Sequence, residues 1–236
     1  MVIPYLIPFT LFGDPMKKQA VISVVGVVAV ALLSGGLLYR LMVQGDSLGQ
    51  LGLIGVFIAS MLSHLTVVAR DMFIPLFLPL ASVYHPVVLG AFAGTGAAIG
   101  EVTTYFLGWG VAESIEPPTE AEDRIARWIN KYGLWAVLIV ALTPLPDTPI
   151  VILAGSRKLP FGKLAIVEIL GKSTLYSVAA LMGGLVYGGL EDTIGTMMAS
   201  GLMVIGSLIF SIAVTWKPSR DLIFGWLERL VPQMRE

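Results

Sequence analysis

The sequence predicts an all-α polytopic membrane protein: about four transmembrane helices plus two re-entrant or broken helical hairpins arranged as an inverted repeat, with short amphipathic interfacial helices. Three observations predict it. Of 236 residues, 56% are hydrophobic and only 13% charged, about half the charge that a water-facing domain carries. The apolar residues gather in runs long enough to cross a hydrocarbon core of about 30 Å. Two further runs are interrupted by prolines and charges, and short motifs recur around them.

Four segments meet the length requirement. Ala20 to Leu38 is flanked by Lys17-Lys18 and Tyr39-Arg40. Pro86 to Trp109 is rich in glycine and alanine and carries one charge, Glu101. Phe161 to Gly189 carries Glu168 and Lys172, and Ile194 to Trp216 is uncharged. Residues 1–18 hold Pro4, Pro8, Gly13 and Pro15 but no basic stretch ahead of their apolar residues, so they do not read as a cleaved signal peptide.

The two interrupted runs differ. Leu51 to Ala81 contains His64, Arg70-Asp71, Pro75 and Pro79; Tyr132 to Gly155 contains Pro144, Pro146 and Pro149 around Asp147. Proline removes a backbone donor and clashes with the preceding turn. Backbone freed at membrane depth persists only inside protein or beside a wet cavity. Re-entrant hairpins fit this pattern better than proline-kinked spans. Charge counting agrees. With both runs re-entrant and the N-terminus cytoplasmic, Lys17, Lys18, Arg124, Arg127, Lys131, Arg157, Lys158, Lys163, Lys217, Arg220, Arg229 and Arg235 lie inside, leaving three of the fifteen basic residues elsewhere. The positive-inside rule favours that arrangement over full spans. Both termini are then cytoplasmic, in a protein of the cytoplasmic membrane.

Gly100-Glu101-Val102-Thr103-Thr104-Tyr105 and Gly171-Lys172-Ser173-Thr174-Leu175-Tyr176 share G-[EK]-x-T-x-Y, each in the span after an interrupted run. Leu51-Gly52-Leu53 parallels Tyr132-Gly133-Leu134 at the start of each run. Residues 51–109 and 132–189 therefore read as two repeat units of one membrane domain, inverted with respect to each other, an architecture common in transporters. Residues 110–131 form an amphipathic cytoplasmic linker, with Ile125, Trp128, Ile129 and Tyr132 on one face. A C-terminal amphipathic helix is expected over 217–236, with Ile223, Trp226, Leu227, Leu230 and Met234 as its stripe.

Charges in a span are costly and are usually paired or functional. Arg70 could hold a phosphate with its planar fork, or sit with Asp71 in an aqueous loop. Asp147 could exchange protons, or cap the helix that begins at Thr148-Pro149. Glu101 and Lys172 occupy matching repeat positions, so a pseudo-two-fold axis would bring them together, as a switchable pair or a static one. Glu168 lies one helical turn before Lys172 and competes for it. Arg157 and Lys158 would attract anionic headgroups or simply set topology. His64 reads as a packing histidine. Gly90, Gly94, Gly96 and Gly100 permit close helix approach. Gly171-Lys172-Ser173 lacks the earlier glycine of a phosphate-binding loop, since Ile166 stands there.

The net charge of −1 argues against a nucleic-acid partner. Without cysteine, and with only two histidines, neither a metal centre nor another cofactor is expected. No nucleophile–base constellation is visible, so the chain does not read as an enzyme.

In the second unit, Tyr132-Gly133, Ala141-Leu142-Thr143-Pro144-Leu145-Pro146-Asp147, Ala154-Gly155, Pro160-Phe161 and Gly171, in that order, resemble the DedA/VTT family, also labelled SNARE-associated Golgi proteins. Gly96, Gly100, Tyr105 and Gly108 are similar to that family's pattern in the preceding span. The resemblance covers about residues 50–190. It implies two re-entrant hairpins meeting in the bilayer, and lipid translocation: undecaprenyl phosphate recycling with protons in bacterial relatives, phospholipid scrambling in eukaryotic ones. Asp147 stands where bacterial members commonly carry arginine, and Gly108-Trp109 where they often have Gly-Arg. That points to a divergent branch, archaeal by expectation, whose substrate need not match.

The expectation is thus an ATP-independent flippase for a phosphate-bearing membrane lipid, a polyprenyl phosphate first. Arg70, Lys172 and Arg157 would bind it, and Asp147, Glu101 and Asp71 would couple it to protons (or sodium). The alternatives are an uncoupled phospholipid scramblase, a small-ion or solute transporter, and a non-transporting assembly factor marked by a water-free Glu101–Lys172 pair. Oligomeric state stays open.

Overall fold

The computed structural model describes residues 15–43, 51–67, 70–111, 131–143 and 147–195, and single positions 129, 198, 199, 202, 205, 206 and 209. The described residues form helices and turns with no strand. Helix α1 (Pro15–Val43) comes first. The first interrupted run forms α2 (Leu53–Leu65), a 3-10 turn (Arg70–Phe73) and α3 (Ile74–Leu80). Next come α4 (Pro86–Gly100) and α5 (Val102–Val111), then α6 (Leu134–Ala141) and α7 (Thr148–Ser156) from the second interrupted run. The last helix with described bounds is α8 (Phe161–Ile194), ended by Gly195 at φ 79°.

Three helical stretches are long and apolar enough to cross a membrane: Ala20–Arg40, Pro86–Val111 and Phe161–Ile194. The fourth expected span, Ile194 to Trp216, lies mostly outside the described residues, as do the 110–131 linker and the 217–236 helix. The surface is inside-out relative to a soluble protein. Ile22, Leu32, Leu33, Trp135 and Leu185 are exposed, while Glu101, Glu168 and Lys172 are buried. Lipid is the solvent that tolerates such a surface.

Both interrupted runs break where the sequence expects. Their arms of 13, 7, 8 and 9 residues reach about 10 to 20 Å at 1.5 Å per residue, short of a bilayer core. The first run doubles back. A side chain at Gly52, ahead of α2, would collide with the hydroxyl of Tyr84, just beyond α3, so both ends of the run lie together. Its α2 runs alongside α4: Ser60 donates to the Ala93 carbonyl at 2.8 Å, and Gly100 packs on Met61, His64 and Leu65.

Helices α4 and α8 are antiparallel, with Gly90 against the backbone of Ser177 and Gly94 against that of Ser173. Ala81, at the end of the first hairpin, packs on Gly184 late in α8. Leu159, at the end of the second run, meets Tyr105 of α5 just before α8 begins, accepting from its hydroxyl at 2.7 Å. The hairpin mouths therefore lie toward opposite ends of α8, as inverted units require.

The backbone repeats the inversion in detail. Gly52 has φ 53° and ψ −121°, Gly133 φ 55° and ψ −124°, each as the residue before the first hairpin arm. A side chain is strained at such positive φ, which explains glycine at both places. The second arms also start alike, with Pro75 and Pro149 in the first turn, where the missing N–H costs nothing. Tyr105 of the first unit is buried in the second hairpin's apolar cluster. Its counterpart Tyr176, of the second unit, packs against the cluster of the first hairpin. Each unit's span thus completes the other unit's core.

Close backbone approach is the packing device: Gly108 lies on the Ile152 carbonyl and Gly155 on that of Tyr105, joining α5 to α7 as Gly90 and Gly94 join α4 to α8. Gly94→Leu, which has backbone rather than a yielding side chain in its way, is expected to cost about 3 kcal/mol, the upper end for overpacking. Gly26→Leu points into open space and should leave melting in detergent unchanged. Equal melting of the two variants would contradict the packing described.

Candidate functional site

The freed backbone at the hairpin tips is satisfied locally. Thr66 Oγ1 donates to the Ser63 carbonyl at 2.6 Å, Thr103 Oγ1 to that of Leu65 at 3.2 Å, and Thr143 Oγ1 to that of Val140 at 2.8 Å. Val67 at the first tip has φ 65°, costly for a β-branched residue. In that conformation its carbonyl accepts from Arg70 Nε at 3.2 Å. The strained tip residue therefore helps to aim the guanidinium.

Four charges from four parts of the chain close into a ring. Arg70 starts the 3-10 turn at the first tip, Asp147 precedes α7 at the second, Glu101 joins α4 to α5, and Lys172 lies within α8. Arg70 Nη1 donates to Asp147 Oδ1, and its Nη2 to Glu101 Oε2 at 2.8 Å and to Thr104 Oγ1 at 3.4 Å. Lys172 Nζ donates to Asp147 Oδ2 and to Glu101 Oε1, the latter at 3.1 Å. Each carboxylate bridges both cations and each cation both carboxylates. Side-chain exposure falls from 15% at Arg70 and 11% at Asp147 to 4% at Lys172 and 2% at Glu101. The Arg70–Asp147 edge is the less buried side of the ring.

The pair expected from the repeat, Glu101 with Lys172, is present. Glu168 stands farther away, its Oε2 3.8 Å from Lys172 Nζ. Asp147 precedes α7, but its side chain makes no capping hydrogen bond; it is turned to Arg70 and Lys172 instead. Arg157 is not brought to the ring. It follows α7 at the helix end away from Asp147, about 15 Å along the axis, exposed at the second hairpin's mouth beside Lys158. Lys158 Nζ stands 6.0 Å from the Trp109 ring. The side chain of Asp71 and the residues Pro144 and Pro146 lie outside the described set, while Pro149 sits in the first turn of α7.

His64 is a packing histidine. Its Nδ1 lies 2.9 Å from the Ser60 carbonyl, which can only accept, and its Nε2 lies 3.2 Å from the Tyr176 hydroxyl. In the neutral ring Nδ1 donates and Nε2 accepts. Phe73 packs edge-on to Tyr176 at 5.3 Å and to Phe77 at 5.6 Å. These aromatics, with Met182 and Val186, line an apolar cavity of about 590 Å³. Sequence reasoning missed it. Phe73 and Phe77 are one helical turn apart, a detectable signal, but Tyr176 is a hundred residues away. The cavity adjoins the ring through Phe73, three residues after Arg70, and Tyr176, one turn after Lys172.

A family model described as the VTT domain matches residues 73–185, so Glu101, Asp147, Glu168 and Lys172 fall within the match and Arg70 just before it. No curated protein and no solved structure matches the chain.

Removing one member of a buried ion pair leaves a charge uncompensated, at a cost of about 3–5 kcal/mol. Lys172→Met should therefore lower the melting temperature in detergent sharply. Adding Asp147→Leu, which leaves the neutral Arg70–Glu101 pair, should restore part of it, with a coupling of about 0.5–3 kcal/mol. Strictly additive losses would contradict the ring.

Proposed function

From the VTT domain that this chain carries, the domain of the DedA family, we propose that the protein moves a phosphate-bearing lipid, a polyprenyl phosphate first, across the membrane without ATP. The domain is consistent with a membrane transporter or flippase-like role. The finer reading is carried by one observation: two cations meet at the hairpin tips, deep in an apolar bundle and beside an apolar cavity. A lipid phosphate presents oxygens that Arg70 and Lys172 can take in place of Asp147, with the chain against Phe73 and Phe77. Arg forks suit phosphate geometry, and lysine serves as a point charge.

Substrate entry would draw the tips apart at the less buried Arg70–Asp147 edge. Asp147 and Glu101 would then lose cationic partners and take up protons, which couples opening to a proton gradient. Asp71, next to Arg70 in the chain, belongs to the same proposal, and Arg157 at the mouth would gather anionic headgroups. Because the units are inverted, withdrawal of either hairpin would open the ring to a different side.

The assembly-factor reading is favoured by a specific observation too, the burial of the Glu101–Lys172 pair. Transport decides between them. In proteoliposomes with a fluorescent phospholipid or a polyprenyl phosphate, with and without a pH gradient, the expected result is gradient-sensitive movement of the polyprenyl phosphate alone. Movement of both lipids regardless of gradient would make the protein a scramblase, and movement of neither would favour assembly or ion transport. Asp147→Asn and Glu101→Gln should each cut transport roughly tenfold or more, the effect of about 1.4 kcal/mol, with the fold retained. Unchanged rates would remove both residues from the proton role.

A further inference from the structure

A buried carboxyl group lies outside the ring. Glu168 is 1% exposed, and neither of its carboxyl oxygens has a hydrogen-bond partner among the described residues. The nearest cation is Lys172 at 3.8 Å, already donating to Asp147 and Glu101. The ring is balanced on its own, Arg70 and Lys172 against Asp147 and Glu101. An ionised Glu168 would add an uncompensated negative charge in a dry interior, which costs several kcal/mol. Glu168 and Lys172 share the continuous helix α8, one turn apart, so their separation does not depend on the hairpins. The other three ring members move with the tips or lie on α4–α5.

We infer that Glu168 is a proton-binding site of the transport cycle, carrying a proton while the ring is closed and releasing it to become the counter-ion of Lys172 when Asp147 withdraws. The charged groups that face it are Lys172 from its own helix, Asp147 from the second tip, Arg70 from the first and Glu101 from the α4–α5 junction. In the closed ring they sum to zero. Loss of Asp147 from a ring that holds no lipid phosphate leaves a net positive charge beside Lys172, and the Glu168 carboxylate restores balance until the phosphate arrives. The proton thus rides on the rigid helix, and tip opening controls its release. This deepens the proposed function and rests on it for the opening step, whereas proton occupancy in the closed state stands on the geometry alone.

Two readouts separate the parts. Infrared spectroscopy of the purified protein in lipid at neutral pH should show a protonated carboxylic acid band that is lost in Glu168→Gln and weakened in Asp147→Asn, which removes the charge that keeps Glu168 protonated. Absence of the band from the unsubstituted protein, or its survival in Glu168→Gln, would overturn the assignment whether or not lipid moves. In proteoliposomes Glu168→Gln, a neutral isostere of the protonated acid, should still move lipid but show a smaller rate difference between runs with and without a pH gradient, since Asp147 and Glu101 remain. An undiminished gradient effect would overturn the coupling role. Failure of Glu168→Gln to fold would overturn proton occupancy, since an amide replaces a neutral carboxyl without stranding a charge. If no lipid moves in any protein, the infrared result stands while the transport reading fails.

Discussion

The contact on which the structure depends is the four-membered ring of Arg70, Asp147, Lys172 and Glu101. Hydrophobic burial does little to hold helices together in lipid, because the surroundings are as apolar as the helix faces. Close glycine contacts and a few buried polar links remain to fix the arrangement. The glycines fix α4 on α2 and α8, and α5 on α7. The tips of the two hairpins are joined differently, by charge. A buried ring contributes little net stability when intact, because desolvation offsets attraction, yet breaking one corner is expensive. Such a link specifies one closed state and makes its opening conditional on a substitute for the lost partner.

The inverted repeat explains why the link has two of each sign. The equivalent positions Glu101 and Lys172 carry opposite charges, so the pseudo-symmetry that brings them together also pairs them. The tips are not equivalent in sequence, Arg70 in one and Asp147 in the other, and they complete the same alternation. Exchange of aromatic packing follows the same logic: Tyr105 seals the second hairpin and Tyr176 the first. Movement of either hairpin therefore disturbs its own tip charge and the tyrosine contact of the other unit.

Much of this was legible in the sequence. Runs of apolar residues located the described spans, because lipid demands a full turn-by-turn hydrophobic helix. Prolines and charges located the breaks in both interrupted runs, and the G-[EK]-x-T-x-Y repeat pointed to the Glu101–Lys172 pair. The Arg70–Asp147 contact was not legible, since it depends on two hairpins of unlike tip sequence meeting end to end. Asp147 before Thr148-Pro149 read as a proton carrier or a cap, and local sequence carries no sign that its side chain turns to a partner 77 residues away. The state of Glu168 was hidden for a similar reason. Spacing announces its pairing with Lys172, but only the folded ring shows Lys172 already taken.

The most direct test of the account is the sidedness of the hairpin mouths. The chain contains no cysteine, so single cysteines at the exposed positions Leu51, Ser82, Lys131 and Lys158 can be labelled with a membrane-impermeant thiol reagent from either side of oriented vesicles. Leu51→Cys and Ser82→Cys are expected to react from one side, and Lys131→Cys and Lys158→Cys from the other. Labelling of Leu51→Cys and Ser82→Cys from opposite sides would mean that the first run crosses the membrane, and the tip-to-tip ring between opposed hairpins would be contradicted.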